Sequence, residues 1–260
     1  MINKESIKKE SKTWVENKPF PHFIVDGFLE VDVAKKLEEE FPNFDDSIWH
    51  EYGNAIEVKK TCNNWNAFPP KTYEIFSFLN SPQFVDFLSA ALFGEKILYC
   101  DPGLNGGGWH IHKRNGKLNT HLDYSLHPKL SLQRKLNIII YLNSDWQSDW
   151  GGQLGLWDNQ SQYAPGDLIK QIEPKFNRAV IFDTTMNSWH GLPNPIQCPE
   201  GQFRKSLAIY YLTEPPIDIN KRGKALFAPT KEQQDDKNVL ELIKKRSSVN
   251  TASNVYSDKE

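Results

Sequence analysis

The sequence has few cysteines, no long apolar run and little net charge. Its three cysteines, Cys62, Cys100 and Cys198, show no CxxC spacing. They therefore indicate neither a disulfide framework nor a thiolate metal site, and a reducing compartment is expected. No apolar stretch approaches the roughly 20 residues that a membrane span requires, and the polar opening MINKESIKKESKTWVENK lacks the apolar segment of a secretory signal. These absences predict a cytoplasmic protein that does not cross a membrane.

Charge and composition exclude further classes. The net charge is −2 and the pI is about 6.4. The chain therefore has neither the basic surplus that favours nucleic-acid binding nor the acidic surplus that favours a solvating role. Hydrophobic residues make up 38% of the chain, with 8 Trp, 9 Tyr and 15 Phe, which supports a packed core and argues against global disorder. The 260 residues suffice for one large β domain with helical additions, or for two small domains.

Helical signals are concentrated before residue 97. Apolar residues recur at helical spacing over residues 33–41, and a second helix is indicated over residues 73–79. The best-marked helix has Ser81 as its N-cap, Pro82 at its first position and Gly94 as its C-terminal stop.

From residue 97 onward, short apolar runs alternate with turns rich in Gly, Asn, Asp and Pro. The runs cover residues 97–100, 108–112, 136–142, 154–157, 167–172, 178–182 and 203–212. This spacing favours a sandwich or jelly roll over a βαβ fold. We predict a mainly β protein with flanking helices. A helical and extended region over residues 1–96 would pack on a core at 97–215, followed by an extension at 216–260 with a short helix and a disordered tail.

Two histidines and one carboxylate are candidates for a metal site. His121 and Asp123 are two residues apart, so they point to the same face of an extended strand. His190 follows the apolar run 179–182, which has the composition of a buried strand. If the fold brings His190 beside the pair, the three form the facial triad of non-haem Fe(II) oxygenases. Such ligands also suit Zn²⁺ hydrolysis, and His121 and Asp123 taken alone are equally consistent with a hydrogen-bonded surface pair.

A basic residue on a later strand is a candidate ligand for a dicarboxylate. Arg204 and Ser206 share one face of the strand at 203–212, and Asn137 and Tyr141 share one face of an earlier strand. An arginine pointing into a barrel is costly unless it is paired, and a guanidinium matches a carboxylate in a bidentate fork. The Tyr141 hydroxyl is placed to bond the same carboxylate. The alternative for Arg204 is a surface salt bridge.

Taken together, these residues resemble the 2-oxoglutarate and Fe(II)-dependent oxygenases, and most closely their prolyl-4-hydroxylase-like branch. The resemblance covers residues 19–213, and it is carried by residues 120–123, 134–146, 151–154, 172–178, 189–190 and 204–207. The opening PFPHFIVDGFL is similar to the N-terminal start of intracellular members.

The resemblance implies a double-stranded β-helix, also called a jelly roll or cupin-like core, with helices on its outside. His121, Asp123 and His190 would be the catalytic iron ligands, while Arg204 and Tyr141 would hold the far carboxylate of 2-oxoglutarate. The implied reaction consumes O₂ and 2-oxoglutarate, releases succinate and CO₂, and hydroxylates an unactivated C–H bond. Because related halogenases lack the carboxylate that Asp123 supplies, hydroxylation is favoured over halogenation.

The sequence departs from the pattern upstream of the triad. Many prolyl hydroxylases have a tyrosine there that faces the cosubstrate, whereas His112 stands in the corresponding region here. His110 shares a face with His112, and the alternatives for this pair are pocket lining, core packing or a second metal site.

The substrate is open between a prolyl residue of a peptide and a small molecule. His112, Tyr124, Trp157 and Trp189 are the candidate substrate residues near the expected mouth of the pocket, with ordinary packing as their alternative. Two other function classes also stay open: a metal-dependent hydrolase or isomerase on a cupin-like barrel, and a non-catalytic jelly-roll binding module.

Overall fold

A computed structural model describes residues 1–255. The α-helices are α1 (Lys4–Glu10), α2 (Val31–Glu39), α3 (Pro70–Leu79), α4 (Pro82–Phe93) and α5 (Lys237–Arg246). The strands are β1 (His22–Asp26), β2 (His50–Gly53), β3 (Glu57–Cys62), β4 (Tyr99–Cys100), β5 (Gly108–His112), β6 (Lys117–Leu118), β7 (His121–Leu122), β8 (Gln133–Tyr141), β9 (Leu154–Ser161), β10 (Ala164–Ile172), β11 (Arg178–Asp183), β12 (His190–Gly191), β13 (Arg204–Thr213) and β14 (Leu226–Phe227).

Helix α4 shows how local chemistry sets an element. The Ser81 hydroxyl accepts a hydrogen bond from the Phe84 amide, Pro82 occupies the first turn, and Gly94 ends the helix with a φ of 73°. The cap satisfies an otherwise unpaired amide, and glycine adopts the left-handed conformation without a steric penalty. The sequence prediction for this helix is confirmed.

The strands form two antiparallel sheets. Within residues 1–255, the major sheet has nine strands, with the order β1-β11-β8-β13-β5-β3-β2 and with β4 and β6 on its margins. The minor sheet has the order β10-β9-β12-β7-β14. Helices pack on the outside of the major sheet, and its inner face turns toward the minor sheet. The predicted mainly β fold, a double-stranded β-helix with flanking helices, is confirmed.

Strand β8 shows how the two faces of the major sheet differ. Ile138 and Ile140 point outward into the main core, where they pack with residues of α2, α3 and α4. Tyr141 points inward and packs with Leu154 and Leu156 of the minor sheet. Period-2 alternation accounts for this division, so the continuous apolar run in β8 reflects burial on both faces.

An asparagine fixes the N-terminal segment to the sheet. Strand β1 lies at the sheet edge beside β11, and Asn177 directly precedes β11. Its side chain accepts from the Leu29 amide at 2.9 Å and donates to the Leu29 carbonyl at 2.7 Å, while its own φ is 58°. Asn tolerates this left-handed backbone better than most residues.

We expect Asn177→Ala to lower the free energy of unfolding by about 2–5 kcal/mol, because two buried backbone groups of Leu29 lose their partner. Urea denaturation would measure this loss. The matched control is Asn187→Ala, which meets the same left-handed constraint with a φ of 50° and removes no side-chain hydrogen bond of this kind. Equal losses in both variants would contradict the role assigned to the two bonds.

The segment after residue 215 contributes more than a helix. Helix α5 forms where a terminal helix was expected, and residues 226–227 also add strand β14 to the minor sheet beside β7. Of the tail expected to be disordered, residues 247–260, the first five residues form turns and coil, Ala252–Val255 forms a 3-10 helix with Ala252 buried, and residues 256–260 lie outside the described residues. The division of the chain at residues 96 and 215 stays a prediction, although β1, β2 and β3 join the major sheet from before the first boundary.

Across residues 1–255, the helices are all too short or too polar to traverse a lipid bilayer.

Candidate active site

The two short strands β7 and β12 bring the three candidate metal ligands together. His121 and His190 lie directly opposite each other in this pair, with ring centroids 4.4 Å apart. Asp123 follows β7, and its two carboxylate oxygens lie 3.9 Å from the Nε2 atoms of His121 and His190. One potential ligand atom from each residue lies within 4.8 Å of the others. The side chains are arranged as three donors around one point.

Hydrogen bonds to the backbone set the tautomer of both histidines. Nδ1 of His121 lies 3.0 Å from the Asn119 carbonyl, and Nδ1 of His190 lies 2.8 Å from the Ser188 carbonyl. A carbonyl only accepts, so Nδ1 carries the proton and Nε2 keeps its lone pair. Burial, followed by the charge of His190, lowers the pKa of His121 well below its ordinary value. Neutral imidazoles with free Nε2 atoms are the state that binds a metal.

The third ligand is a buried carboxylate held ionised by an arginine. Burial raises the pKa of Asp123, but Arg134 and the two histidines outweigh this effect and lower the pKa below its usual value. Arg134 Nη1 lies 3.3 Å from Asp123 Oδ1. Asp123 Oδ2 is buried without a hydrogen-bond partner among the described residues. An ionised carboxylate with one uncommitted oxygen fits a metal cation.

Arg134 is a site residue that the sequence analysis did not single out. Its guanidinium lies between the rings of Tyr124 and Tyr210, 3.4 Å from each centroid. Strict alternation along β8 would turn Arg134 to the same outward face as Leu136. A register shift opposite Tyr211 and Leu212 interrupts the alternation and turns Arg134 inward. A bulge of this kind re-aims side chains beside active sites, and the sequence has no local signal for it.

Arg204 lies inside the fold, as the dicarboxylate hypothesis requires. It is buried, and its Nε donates to the Gly152 carbonyl at 2.7 Å. A Cβ at Gly152 would lie 2.9 Å from Arg204 Cδ, and the glycine has a φ of 78°, so a side chain there would displace the arginine. The guanidinium carbon lies 4.9 Å from the Tyr141 ring centroid. Burial lowers the pKa of Arg204, and Tyr141 opposes this shift.

Of the other predicted cosubstrate residues, Ser206 and Tyr141 lie beside Arg204, and Asn137 lies further along the same pair of strands. Ser206 is buried directly opposite Tyr141 in the β13–β8 pair, and Asn137 lies opposite Tyr210 in the same pair. The Tyr141 hydroxyl and Asn137 Oδ1 are buried and make no hydrogen bond to a described residue. Burial raises the pKa of Tyr141, so its hydroxyl keeps a proton to donate. These groups are suited to a polar ligand.

One cavity of about 250 Å³ joins the two parts of the site. Its walls include the three candidate metal ligands, Arg134 and Arg204.

The four predicted substrate residues divide into two pairs. His112 and Tyr124 line this cavity. Trp157 lines a separate groove beside the β9–β10 hairpin, and Trp189 is fully buried against Leu122 and Ala228.

Residues of the C-terminal segment contact β7 and Asp123, which supply two of the candidate metal ligands. The sequence did not predict these contacts. Phe227 of β14 lies opposite His121, with its ring stacked on the imidazole at 5.0 Å and 23°. Arg222 donates two hydrogen bonds to the Asp123 carbonyl, at 3.1 and 2.8 Å. Such contacts restrict the orientation of metal ligands. Only the folded chain brings them to β7.

We expect Phe227→Ala to weaken Fe(II) binding about 10-fold, because His121 loses the ring that fixes its orientation. This is the lower end of the loss seen when a residue that supports a metal ligand is removed. A competition titration with a chromogenic Fe(II) chelator would measure this. Leu226→Ala is the control, since Leu226 pairs with Leu122 on the same strand and packs away from the imidazole. An equal loss of affinity in both variants would show a general loosening of β14.

Residues 107–212 match the family model described as the 2OG-Fe(II) oxygenase superfamily. The match contains all three candidate metal ligands and Arg204. It ends before Arg222 and Phe227, so the contacts from the C-terminal segment lie outside it.

Curated relatives include prolyl 3-hydroxylases of two animals. Prolyl 3-hydroxylase OGFOD1 of Mus musculus is 30% identical over 87 residues, which cover 32% of this chain and 16% of that protein. The Xenopus laevis protein of the same name is 22% identical over 223 residues, which cover 79% of this chain and 38% of that protein. The chain thus spans well under half the length of the curated relatives that it matches.

Solved structures with a similar fold include two prolyl hydroxylases. A Pseudomonas putida prolyl-4-hydroxylase has a TM-score of 0.57 at 16% identity, covering 81% of this chain and all 100% of that chain. A Trichoplax adhaerens prolyl hydroxylase, solved with a hypoxia inducible factor peptide fragment, has a TM-score of 0.57 at 16% identity and covers 81% of this chain and 90% of that chain. At this identity the likeness concerns the fold.

Proposed function

We propose that the chain is a dioxygenase that hydroxylates a C–H bond with Fe(II), 2-oxoglutarate and O₂, in keeping with the match of residues 107–212 to the 2OG-Fe(II) oxygenase superfamily. The observation that carries the proposal is that one cavity contains both a candidate metal site and a candidate site for a carboxylate. A His-Asp-His cluster occupies one part of its wall and a buried arginine another.

The donor set fits Fe(II). Two imidazoles present free Nε2 atoms, and Asp123 presents a buried oxygen with no hydrogen-bond partner among the described residues. Two histidines and one carboxylate are the ligands of the facial triad, which leaves coordination positions open. We assign His121, Asp123 and His190 as the metal ligands. When bound, iron would supply the oxidative chemistry by which 2-oxoglutarate, O₂ and a substrate C–H bond give succinate, CO₂ and the hydroxylated substrate.

The residues around Arg204 fit the far carboxylate of 2-oxoglutarate. Arg204 is buried and supplies a planar fork of donors at the cavity wall, where a charge-assisted pair is strong. The Tyr141 hydroxyl supplies a further donor, and it has no hydrogen-bond partner among residues 1–255. Ser206 adds a hydroxyl beside them, opposite Tyr141, and Asn137 lines the cavity further along the same strands. These groups position the cosubstrate.

The proposed substrate class is supported less directly than the metal and cosubstrate sites. The curated relatives are named prolyl 3-hydroxylases, and one structural neighbour was solved with a peptide fragment. A prolyl residue of a peptide is therefore the first substrate to test, beside small molecules. A cytoplasmic location is also part of the proposal. It is supported by three free cysteines, two of them buried, which suit a reducing compartment.

Anaerobic visible absorption tests the proposal. Wild-type protein receives Fe(II) and then 2-oxoglutarate, and a weak charge-transfer band is expected when the cosubstrate chelates the metal. Admitting O₂ should then release succinate in proportion to the 2-oxoglutarate consumed. Iron binding with neither a band nor succinate would reject the oxygenase and favour a metal-dependent hydrolase, isomerase or binding module.

A further inference from the structure

The inner face of the major sheet carries a row of basic side chains beyond the cosubstrate residues. Arg204 of β13 lies directly opposite His112 of β5. On the next strand, Thr61 of β3 lies opposite His110, and Lys59, two residues earlier on β3, shares the face of Thr61. Lys59, His112 and Arg204 all line the cavity. Side chains that are neighbours across strands interact, and like charges there are destabilising.

Lys59 has a poor set of partners for a buried ammonium group. Its side chain is 13% exposed, and its nearest carboxylate oxygen is Glu57 Oε2 at 3.7 Å, beyond hydrogen-bond distance. The other oxygen of Glu57 accepts from Arg246 Nε at 2.8 Å. The Tyr52 ring lies 5.0 Å from Lys59 Nζ. Burial lowers the pKa of Lys59, and the charges of Glu57 and Asp123 oppose this shift. The ammonium group therefore faces the cavity, and its nearest counter-ion, Glu57, is shared with Arg246.

His112 adds an independent sign of a missing ligand. It is 3% exposed, and neither ring nitrogen has a hydrogen-bond partner among residues 1–255. Burial, then Arg204 and Lys59, lower its pKa well below the ordinary value. A buried imidazole without partners is costly. A ligand reaching between Lys59 and Arg204 would satisfy it.

We propose that Lys59 and His112 bind a carboxylate of the substrate. The proposal rests on the proposed function, because it assumes that 2-oxoglutarate uses Arg204 at one end and the metal at the other. Both ends of the dicarboxylate are then engaged, and the ammonium group of Lys59 is left for a second acid. Lys59 donates to the carboxylate as a point charge, and the neutral imidazole of His112 donates a single N–H.

A carboxylate here has two sources, which the test separates. A small carboxylic acid, such as a free amino acid, would place its own acid group against Lys59. A peptide would use an Asp or Glu beside the target residue. The probes are free amino acids and prolyl peptides with a neighbouring Asp or Glu, each compared with its neutral amide counterpart. Product is scored as the mass gain of one oxygen, with succinate measured in parallel.

The variants are Lys59→Met and Lys59→Arg, with Lys60→Met as the matched control. Lys60 is the next residue on β3 and points to the opposite face, where its Nζ donates to the Phe44 carbonyl at 2.8 Å. We expect the wild type to prefer acids over amides by about 10- to 100-fold in kcat/KM, the range of hydrogen bonds to charged groups. Lys59→Met should raise KM for the acid by that factor with a smaller change in kcat, and Lys59→Arg should retain most of the preference.

The possible results distinguish a failure of the carboxylate site from a failure of the proposed oxygenase function. If the wild type shows a normal charge-transfer band but does not turn over acids faster than their amides, or turns over no acid at all, the inference alone is overturned. Equal KM values in Lys59→Met and Lys60→Met overturn it as well. Absence of the band in the wild type overturns the oxygenase and the inference together. In Lys59→Met, the band reports that the variant is folded and binds the cosubstrate.

Discussion

Replacing Asp123 by alanine should abolish iron-dependent turnover and weaken Fe(II) binding by more than about 100-fold. Removing an outer-shell partner of a metal ligand already costs roughly 10- to 100-fold, and Asp123 is the single carboxylate of the candidate triad. The two histidines that remain supply only neutral donors. A titration with a chromogenic Fe(II) chelator and a succinate assay would measure both effects.

The same substitution should destabilise the metal-free protein, which gives the prediction a second readout. Arg134 is almost fully buried and loses the carboxylate that lies 3.3 Å from its Nη1. Breaking a buried pair by removing one partner costs about 3–5 kcal/mol. We expect the lower end of this range, because the Tyr124 and Tyr210 rings and the Asn105 carbonyl still contact the guanidinium.

Asp101→Asn is the control for Asp123→Ala. Asp101 is another buried carboxylate, and it accepts hydrogen bonds from the Gly103 and Asn105 amides outside the triad. Its replacement should lower stability and leave Fe(II) affinity within a few-fold of the wild type. If both variants lost iron to the same extent, the metal would not be bound by Asp123.

Replacing Arg204 by alanine should raise the 2-oxoglutarate concentration needed for half-maximal binding by a factor between roughly 30 and several thousand. Removing one partner of a buried, hydrogen-bonded charge pair costs about 2–5 kcal/mol, and each 1.36 kcal/mol is tenfold. Arg204→Lys keeps the charge but loses the fork of donors, so it should recover part of the affinity. The anaerobic charge-transfer band, titrated with 2-oxoglutarate, measures the change.

Lys205→Ala tests whether the effect belongs to the inward face of β13. Lys205 is adjacent to Arg204 and points outward, with its Nζ 5.8 Å from the Phe41 ring centroid. Its removal should leave 2-oxoglutarate binding unchanged within about twofold. Fe(II) affinity should be the same in both variants, since neither residue contacts the triad. A normal cosubstrate affinity in Arg204→Ala would reject its role and with it the proposed carboxylate site.

Much of the fold could be predicted from local pattern, because its signals lie within short windows. Helix α4 follows from a cap, a proline and a terminal glycine that act within a single turn. The runs that became β5, β8, β11 and β13 are apolar over the length of one strand, and strands buried on both faces have this composition. Segments such as β3, which are polar and short, lack that signal. They form because a neighbouring strand supplies the hydrogen bonds.

The sequence by itself determined which chemistry is available. His121 and Asp123 share a strand face because side chains alternate with period two, and Arg204 and Ser206 share a face for the same reason. Only the tertiary structure decided what these groups meet. The pairing of β12 with β7 sets His190 opposite His121, and the bulge in β8 turns Arg134 toward Asp123. Strand β14 brings Phe227 onto His121 from the far end of the chain. Register between strands depends on the packing of the whole sheet, so contacts across strands are specified by the folded protein and have no signature in a local stretch of sequence.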